Sequence, residues 1–192
     1  MMKFSCEKAL LQSAIAITSR AVAQKSSIPA LEGLLLHADH YLTISGYNMQ
    51  TGIRTRVSAD VTDGGDIVLN ARLFGDIIRR MPDDVVTVSV DDRQTVHLSK
   101  QMVHLSCGDA DFDILGLSAA DYPDLPEVED EFSVSIQQKR LRAMIEETAF
   151  AVSTNESRPV HTGALFEITD KGLTMVAVDG FRLAVRREPL EK

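Results

Sequence analysis

The sequence predicts an α+β fold: repeated strand–helix–strand–strand–strand (βαβββ) units, with antiparallel sheets and the helices packed on one face. Three observations carry this. First, the chain repeats itself. Phe4-Ser5-Cys6 returns as Phe132-Ser133-Val134, Ser27-Ile28-Pro29 as Ser157-Arg158-Pro159, and Leu42-Thr43-Ile44 as Leu173-Thr174-Met175, at offsets of 128, 130 and 131. Second, Val85 to Val90, Thr95 to Ser99 and Val103 to Ser106 alternate apolar with polar residues. That is the period of a strand with one buried face. Third, each repeat carries a single stretch with helical periodicity.

Repeat one spans 2–59. A strand opens it at Phe4, and a helix follows over Lys8 to Ala23, with Leu10, Leu11, Ala14, Ile15, Thr18 and Val22 facing inward. The Pro29 turn then leads into strands at Gly33-Leu34-Leu35-Leu36 and Leu42-Thr43-Ile44. Repeat two spans 66–118. Ile67-Val68-Leu69 reads as its first strand, and Leu73, Phe74, Ile77, Ile78 and Met81 form one face of its helix. The three alternating runs complete it, and Phe112 and Ile114 alternate on a strand beyond them. Repeat three spans 132–187. Ser135-Ile136-Gln137-Gln138 reads as a capping box. Its helix puts Leu141, Ile145 and Ala149 on one face with Met144 beside them. Strands follow at Leu165 to Ile168 and Leu173 to Val178, and Asp179-Gly180 marks a hairpin turn.

One short helix cannot cover a four-stranded sheet, so two repeats should pair and bury both helices between two sheets about a pseudo-twofold. The expected division is a complete domain at 1–118, a Pro-bearing acidic linker at 119–131, and half of a second domain at 132–192.

Composition bounds the function. Of 192 residues, 44% are hydrophobic and 25% charged, which are globular values. No apolar run approaches the length of a membrane span, and the polar N-terminus does not read as a signal peptide. Two cysteines, Cys6 and Cys107, fit a reducing cytoplasm rather than a disulfide framework. The net charge of −8 argues against nucleic acid until its distribution is read. Nine acidic residues and no basic one lie between Asp109 and Glu131; the rest of the chain holds 19 acidic residues against 20 basic. All three helices carry cations: Lys8 and Arg20, with Lys25 nearby; Arg72, Arg79 and Arg80; Lys139, Arg140 and Arg142. A basic helical surface is therefore compatible with an acidic chain.

No nucleophile–base motif, phosphate-binding glycine loop or His-Glu-x-x-His is present among His37, His40, His97, His104, His161 and their neighbours. Asp91-Asp92 and Glu146-Glu147 are carboxylate pairs of a kind usually solvated. Asp109-Ala110-Asp111-Phe112-Asp113 lacks the glycine and closing glutamate of a calcium loop. The expectation is therefore no enzyme, no cofactor and no metal.

Several stretches in order carry a resemblance: Met2-Lys3-Phe4, Ser27-Ile28-Pro29, Asn70-Ala71-Arg72-Leu73-Phe74, Ala120-Asp121-Tyr122-Pro123 and Val178-Asp179-Gly180-Phe181-Arg182-Leu183-Ala184. Together they resemble the beta subunit of bacterial DNA polymerase III, the sliding clamp, over essentially the whole chain. The family has three domains of two repeats each, so the resemblance covers the first domain and half of the second. It implies a processivity factor that encircles duplex DNA as a head-to-tail homodimer ring. Such a protein does no bond chemistry and is linked to nucleotidyl transfer only through the polymerase it tethers.

By resemblance, the DNA-facing residues are Lys25, Arg72, Arg79, Arg80, Lys139, Arg140, Arg142, Asn155 and Arg158. Half of a cleft for short peptides of the replicative polymerase and clamp loader would comprise His161, Val178, Gly180, Phe181, Arg182 and Leu183. Phe181 stands where a histidine is common in the family, and Pro159 and Val160 stand where some members have aromatic residues. Leu73, Phe74, Ile77, Phe112 and Ile114 would form the subunit interface. The competing classes are an interaction scaffold without DNA and a small-molecule-binding or enzymatic domain. The odd number of repeats carries one more expectation: repeat three should pair with a second copy of itself.

Overall fold

The computed structural model describes residues 2–91, 100–127 and 133–190. The chain forms two compact units, Met1–Glu127 and Val128–Lys192. In the first, the elements are β1 (Met2–Glu7), α1 (Lys8–Thr18), β2 (Gly33–Ala38), β3 (Leu42–Tyr47), β4 (Gly52–Val57), β5 (Asp60–Asp63), β6 (Gly65–Asn70), α2 (Ala71–Arg80), β7 (Val85–Val90), β8 (Lys100–Cys107) and β9 (Ala110–Leu117). All pairings are antiparallel, as the alternating runs require.

The repeats pair by exchanging strands. β1 of repeat one lies beside β7 of repeat two, with Met2 opposite Val90 and Glu7 opposite Val85. β6 of repeat two lies beside β2 of repeat one, with Gly33 opposite Asn70 and Ala38 opposite Gly65. The symmetry of this exchange is the expected pseudo-twofold. The two expected sheets are instead one nine-stranded sheet, ordered β4-β3-β2-β6-β9-β8-β7-β1-β5. They merge because Val68 and Leu69 of β6 also pair with Leu117 and Gly116 of β9. β5 was not expected; it is a four-residue strand paired to β1 at the sheet edge.

One core holds this unit together. Leu11, Ala14 and Ile15 of α1 and Phe74, Ile77 and Ile78 of α2 meet Phe4, Leu34, Leu36, Ile44, Ile67, Leu69, Val86, Val88, Val103 and Leu105 from the sheet. The close approach of α1 to β3 requires glycine at 46, where a Cβ would stand 2.2 Å from the Thr18 carbonyl oxygen. Three details depart from the sequence reading. Leu10 and Leu73 are exposed rather than inward, because α1 and α2 each bury a narrower stripe. The first α-helix ends at Thr18 and tightens into a 3-10 turn, Ser19–Ala21. The alternating run at Thr95 to Ser99, and His97 within it, lie outside the described residues. The Val103 to Ser106 run is part of the longer β8, whose hairpin partner β9 carries Phe112 and Ile114.

The expected linker begins too early. Tyr122 and Leu125 join Ala30, Leu31, Tyr47 and Val68 in a second cluster. Leu35 and Val68 alternate with the core residues of β2 and β6, so this cluster covers the opposite face of the sheet. The Tyr122 hydroxyl donates to the Ser45 carbonyl at 3.4 Å. Residues through 125 therefore belong to the first unit.

Outside the core face, His104 of β8 lies opposite Asp113 of β9 and is hydrogen-bonded to it. Asp91 lies 3.7 Å away on the other ring nitrogen. The bond to Asp113, reinforced by both carboxylate charges, raises the His104 pKa above its ordinary value. A raised histidine stabilises the fold fully below its unfolded value of about 6.5, and that contribution is lost as pH rises through the folded value. NMR titration should find the His104 midpoint above that of a free histidine. Asp113→Asn should bring it back down; an unmoved midpoint would exclude Asp113 as the cause.

The second unit holds α3 (Gln138–Thr148) and a three-stranded sheet, β10 (Leu165–Thr169), β11 (Gly172–Val178) and β12 (Leu183–Glu188), in the order β10-β11-β12. Its register matches repeat one at an offset of 130. Thr18 donates to the Ala14 carbonyl at 2.8 Å and Thr148 to the Met144 carbonyl at 2.7 Å. The 3-10 turns Pro29–Glu32 and Pro159–Thr162 correspond. The expected capping box is absent: α3 starts at Gln138, with Gln137 as N-cap and no side-chain cap bond. Its buried residues are Met144 and Thr148, with Leu141 partly buried, rather than the expected Leu141, Ile145 and Ala149. The expected first strand of repeat three is also missing over 133–137; Phe132 lies outside the described residues. The strand exchange explains this. The first strand of a repeat finds its ladder in the other repeat of its pair, and repeat three has no such partner within these 192 residues.

Candidate nucleic-acid surface and peptide cleft

The first candidate surface is the helical side of the first unit. Lys25 sits in a loop fixed by local bonds: the Ser26 N–H donates to Glu32 Oε1 at 3.2 Å, and the Ile28 N–H donates to Ser26 Oγ at 3.1 Å. Its side chain is exposed. Beside this loop, the end of α1 and the start of α2 border a groove lined by Ser19, Val22, Gln24, Glu32, Asn70 and Arg72. Asn70 starts α2 by accepting the Leu73 N–H at 2.9 Å, which places Arg72 in its exposed first turn. Arg79 and Arg80 are exposed at the other end.

These cations are not equivalent. Arg79 bonds Asp76 at 2.6 Å and Arg142 of α3 bonds Glu146 at 2.8 Å. Lys8 is held by Asp83 at 2.7 Å. Lys25, Arg72, Arg80, Lys139 and Arg140 pair with no carboxylate among the described residues. A solvated, unpaired cation exchanges its counterions for a phosphate more readily than one already neutralised. The expected set of basic residues thus divides in two.

The expected interface residues divide as well. Phe74 is fully buried in the core of the first unit, and Ile77 and Ile114, packed in the same core, have little surface to give another subunit. Leu73 and Phe112 are exposed. Phe112 shares the inward side of β9 with Ile114 but stands nearer the strand's start, where cover by the core is lost.

The second candidate site lies in the second unit. A groove of about 490 Å³ is lined by Val152, Ser153, Thr154, Asn155, Ser157, Arg158, His161, Asp179, Phe181 and Arg182. One wall is the loop after α3. There the Ser153 N–H donates to the His161 carbonyl at 2.8 Å and the Ser157 N–H to Asn155 Oδ1 at 3.0 Å. The other wall is the β11–β12 turn, organised by Asp179. Its Oδ1 accepts the N–H groups of Phe181 at 2.9 Å and Arg182 at 2.8 Å. Its Oδ2 accepts Arg182 Nε at 2.8 Å and Nη2 at 2.6 Å. The Phe181 amide, then the Arg182 side chain and amide, hold the Asp179 carboxyl down at about 2. Gly180 at φ +93 turns the chain and leaves Phe181 almost fully solvent-exposed.

The residues expected in two places are therefore found in one. Asn155 and Arg158, assigned to DNA, line the same groove as His161, Phe181 and Arg182, assigned to the cleft. Val178, Gly180 and Leu183, also assigned to the cleft, do not line it. The sequence reading missed Asp179 as the organiser, although an Asp three residues before an Arg at a Gly turn is a visible signal. It also missed Val152, Ser153 and Thr154, which carry none.

Fold and surfaces together define a class: a repeat-built clamp protein, with paired βαβββ repeats that turn basic helices to one side of an antiparallel sheet. The particular family follows from comparison. The sequence matches the DNA polymerase III beta subunit family, by its N-terminal domain over residues 2–126 and its central domain over 135–192. The chain belongs to this family. It is 36% identical over 183 residues to the beta sliding clamp of Halalkalibacterium halodurans, covering 91% of this chain and 46% of that protein. To the beta sliding clamp of Synechocystis it is 34% identical, covering 99% and 49%. The crystal structure of the Bacillus subtilis DNA polymerase sliding clamp superposes with a TM-score of 0.89 at 29% identity, covering 100% of this chain and 51% of that one. The chain spans about half the length of the curated relatives it matches. Among the described residues no helix is long and apolar enough to cross a membrane.

Proposed function

We propose that this chain is a portion of a cytoplasmic DNA sliding clamp, which holds a replicative polymerase on duplex DNA by encircling it. The observation that carries the reading is the set of cations Lys25, Arg72, Arg80, Lys139 and Arg140, unpaired among the described residues, on or beside the helices of an otherwise acidic chain. Cations on helices meet phosphates as point charges without reading bases, which permits sliding. The ring supplies effective concentration: a tethered polymerase rebinds before it diffuses away. In the full-length form the ring is a homodimer, closed through surfaces that include Leu73 and Phe112. The groove between Asn155 and Phe181 is half of a peptide cleft for the polymerase and clamp loader, with apolar contact from Phe181 and charge from Arg158 and Arg182.

Fluorescence anisotropy with a labelled random duplex tests this on the chain as it stands. Binding should be weak, indifferent to sequence and steeply salt-dependent. Arg72→Gln with Arg80→Gln should flatten the log K against log salt slope by about 0.9 for each phosphate that is no longer neutralised. Tight, salt-resistant or sequence-selective binding contradicts a sliding mechanism, and an unchanged slope removes these arginines from the DNA face.

A further inference from the structure

We infer that Asp76 and Glu146 limit how many cations the helices offer to DNA, each holding back one arginine, so that the duplex is held loosely enough to slide. This rests on the DNA reading above and gives acidic residues of the basic helices a part in it.

The helical side carries less usable charge than a count of its basic residues suggests. α1 exposes Ala9, Leu10, Gln12, Ser13, Ala16 and Ile17, and its only charged residue is Lys8. Lys8 is turned into the fold: its side chain is 11% exposed and bound to Asp83. α2 and α3 carry the other helical cations, and on each of them one arginine is tied within its own helix. Arg79 donates through Nη2 to Asp76 Oδ1 at 2.6 Å, three residues back. Arg142 donates through Nε to Glu146 Oε1 at 2.8 Å, four residues on.

These two pairs can open. All four side chains are solvated, from 38% exposed for Asp76 to 77% for Arg142. Each carboxylate holds its guanidinium by one hydrogen bond, whereas Arg182 holds Asp179 by two from its side chain. A solvated pair of this kind is weak and is screened by salt. Neither pair holds the fold. The packing of α2 rests on Ala71, Phe74, Ile77 and Ile78, and that of α3 on Met144 and Thr148. What the pairs do is compete. A phosphate that takes Arg79 or Arg142 must displace a carboxylate to do so, and the contact is weakened by that loss. Encirclement needs no affinity of its own. Each further ionic contact adds to binding and must be broken before the duplex can move on.

Duplex anisotropy against salt reads the number of phosphates neutralised. A double-mutant cycle then reads whether each carboxylate acts through its arginine. Arg79→Gln alone should leave the log K against log salt slope nearly unchanged, because Arg79 is already neutralised. Asp76→Asn should steepen it by about 0.9, the value of one further phosphate. Asp76→Asn with Arg79→Gln should return it to wild type. Glu146→Gln and Arg142→Gln should repeat the pattern on α3. Asp83→Asn makes the same charge change beside a largely buried lysine and should not steepen the slope. The inference is overturned if Asp76→Asn and Glu146→Gln leave the slope unchanged, or steepen it equally when the arginine is gone. It is overturned as well if Arg79→Gln alone flattens the slope by a full contact, or if Asp83→Asn steepens it as much as Asp76→Asn. Arg72→Gln with Arg80→Gln separates this inference from the reading beneath it. If that variant leaves the slope unchanged, the DNA reading fails and takes the inference with it. If it flattens the slope while Asp76→Asn and Glu146→Gln do nothing, the inference alone fails.

Discussion

Phe74→Ala should destabilise the first unit by about 3–5 kcal/mol, whereas Leu73→Ala and Phe112→Ala should each cost under about 1 kcal/mol. Phe74 is fully buried where α1, α2 and both halves of the sheet converge. Removing its ring loses the transfer free energy and leaves a cavity. That cavity cannot collapse easily, because its walls come from two repeats locked by two exchanged strands. Leu73 is its immediate neighbour in sequence and points to solvent. Native-state hydrogen exchange on the β1, β6 and β7 amides reads this unit without interference from the second. A Phe74→Ala cost below about 1 kcal/mol would return Phe74 to the surface role that the family resemblance gave it. Ile77 and Ile114 should follow Phe74, since they share its core.

How the chain is wired was only partly legible from the sequence. The repeats were visible because each carries the same local periodicities, and repeats one and three share a Pro-bearing turn before their second strand. Local pattern also gave β7, the helices and the β11–β12 turn. What pattern does not encode is which strand lies beside which. β1 pairs with residues more than 80 positions away near its start, and a strand that alternates correctly says nothing about its neighbour. The merger of two expected sheets into one was invisible for that reason. So was the absence of strand over 133–137, where the local signal is as good as that of repeat one but the ladder would lie in another repeat. β5 is too short and polar to announce itself.

The candidate surfaces were legible as residue types and not as states. The basic residues on the helices could be counted, but whether each was already neutralised depended on rotamers and neighbours. Asp76 and Glu146 are one turn from Arg79 and Arg142, a spacing the sequence displays. Asp83 reaches Lys8 only through the fold. Part of the expected peptide-cleft set and part of the expected DNA set line one groove because the loop after α3 returns against the β11–β12 turn. That juxtaposition spans more than 20 residues of sequence and leaves no periodic trace.

The second large effect is expected at Tyr122, which the sequence placed in a linker. Tyr122→Ala should destabilise the first unit by about 3 kcal/mol; a tyrosine in a solvated linker would cost within about 0.5 kcal/mol. Its ring is buried on the sheet face opposite the helices, packed with Ala30, Leu31, Tyr47 and Val68. This segment seals β2 and β6 at the junction between repeats, so its loss should loosen the exchanged ladder itself. Burial pushes the Tyr122 hydroxyl up to about 12. The neutral phenol is the form that the fold favours. Its contribution is therefore fully present below the unfolded value of about 10 and is lost as pH rises toward 12. Tyr122→Phe keeps the packing and removes the titration. Urea unfolding across alkaline pH should show wild type losing stability above pH ~10 by more than Tyr122→Phe does, with Tyr122→Ala already weak at neutral pH. Equal stability of all three at neutral pH would return residues 119–125 to the linker.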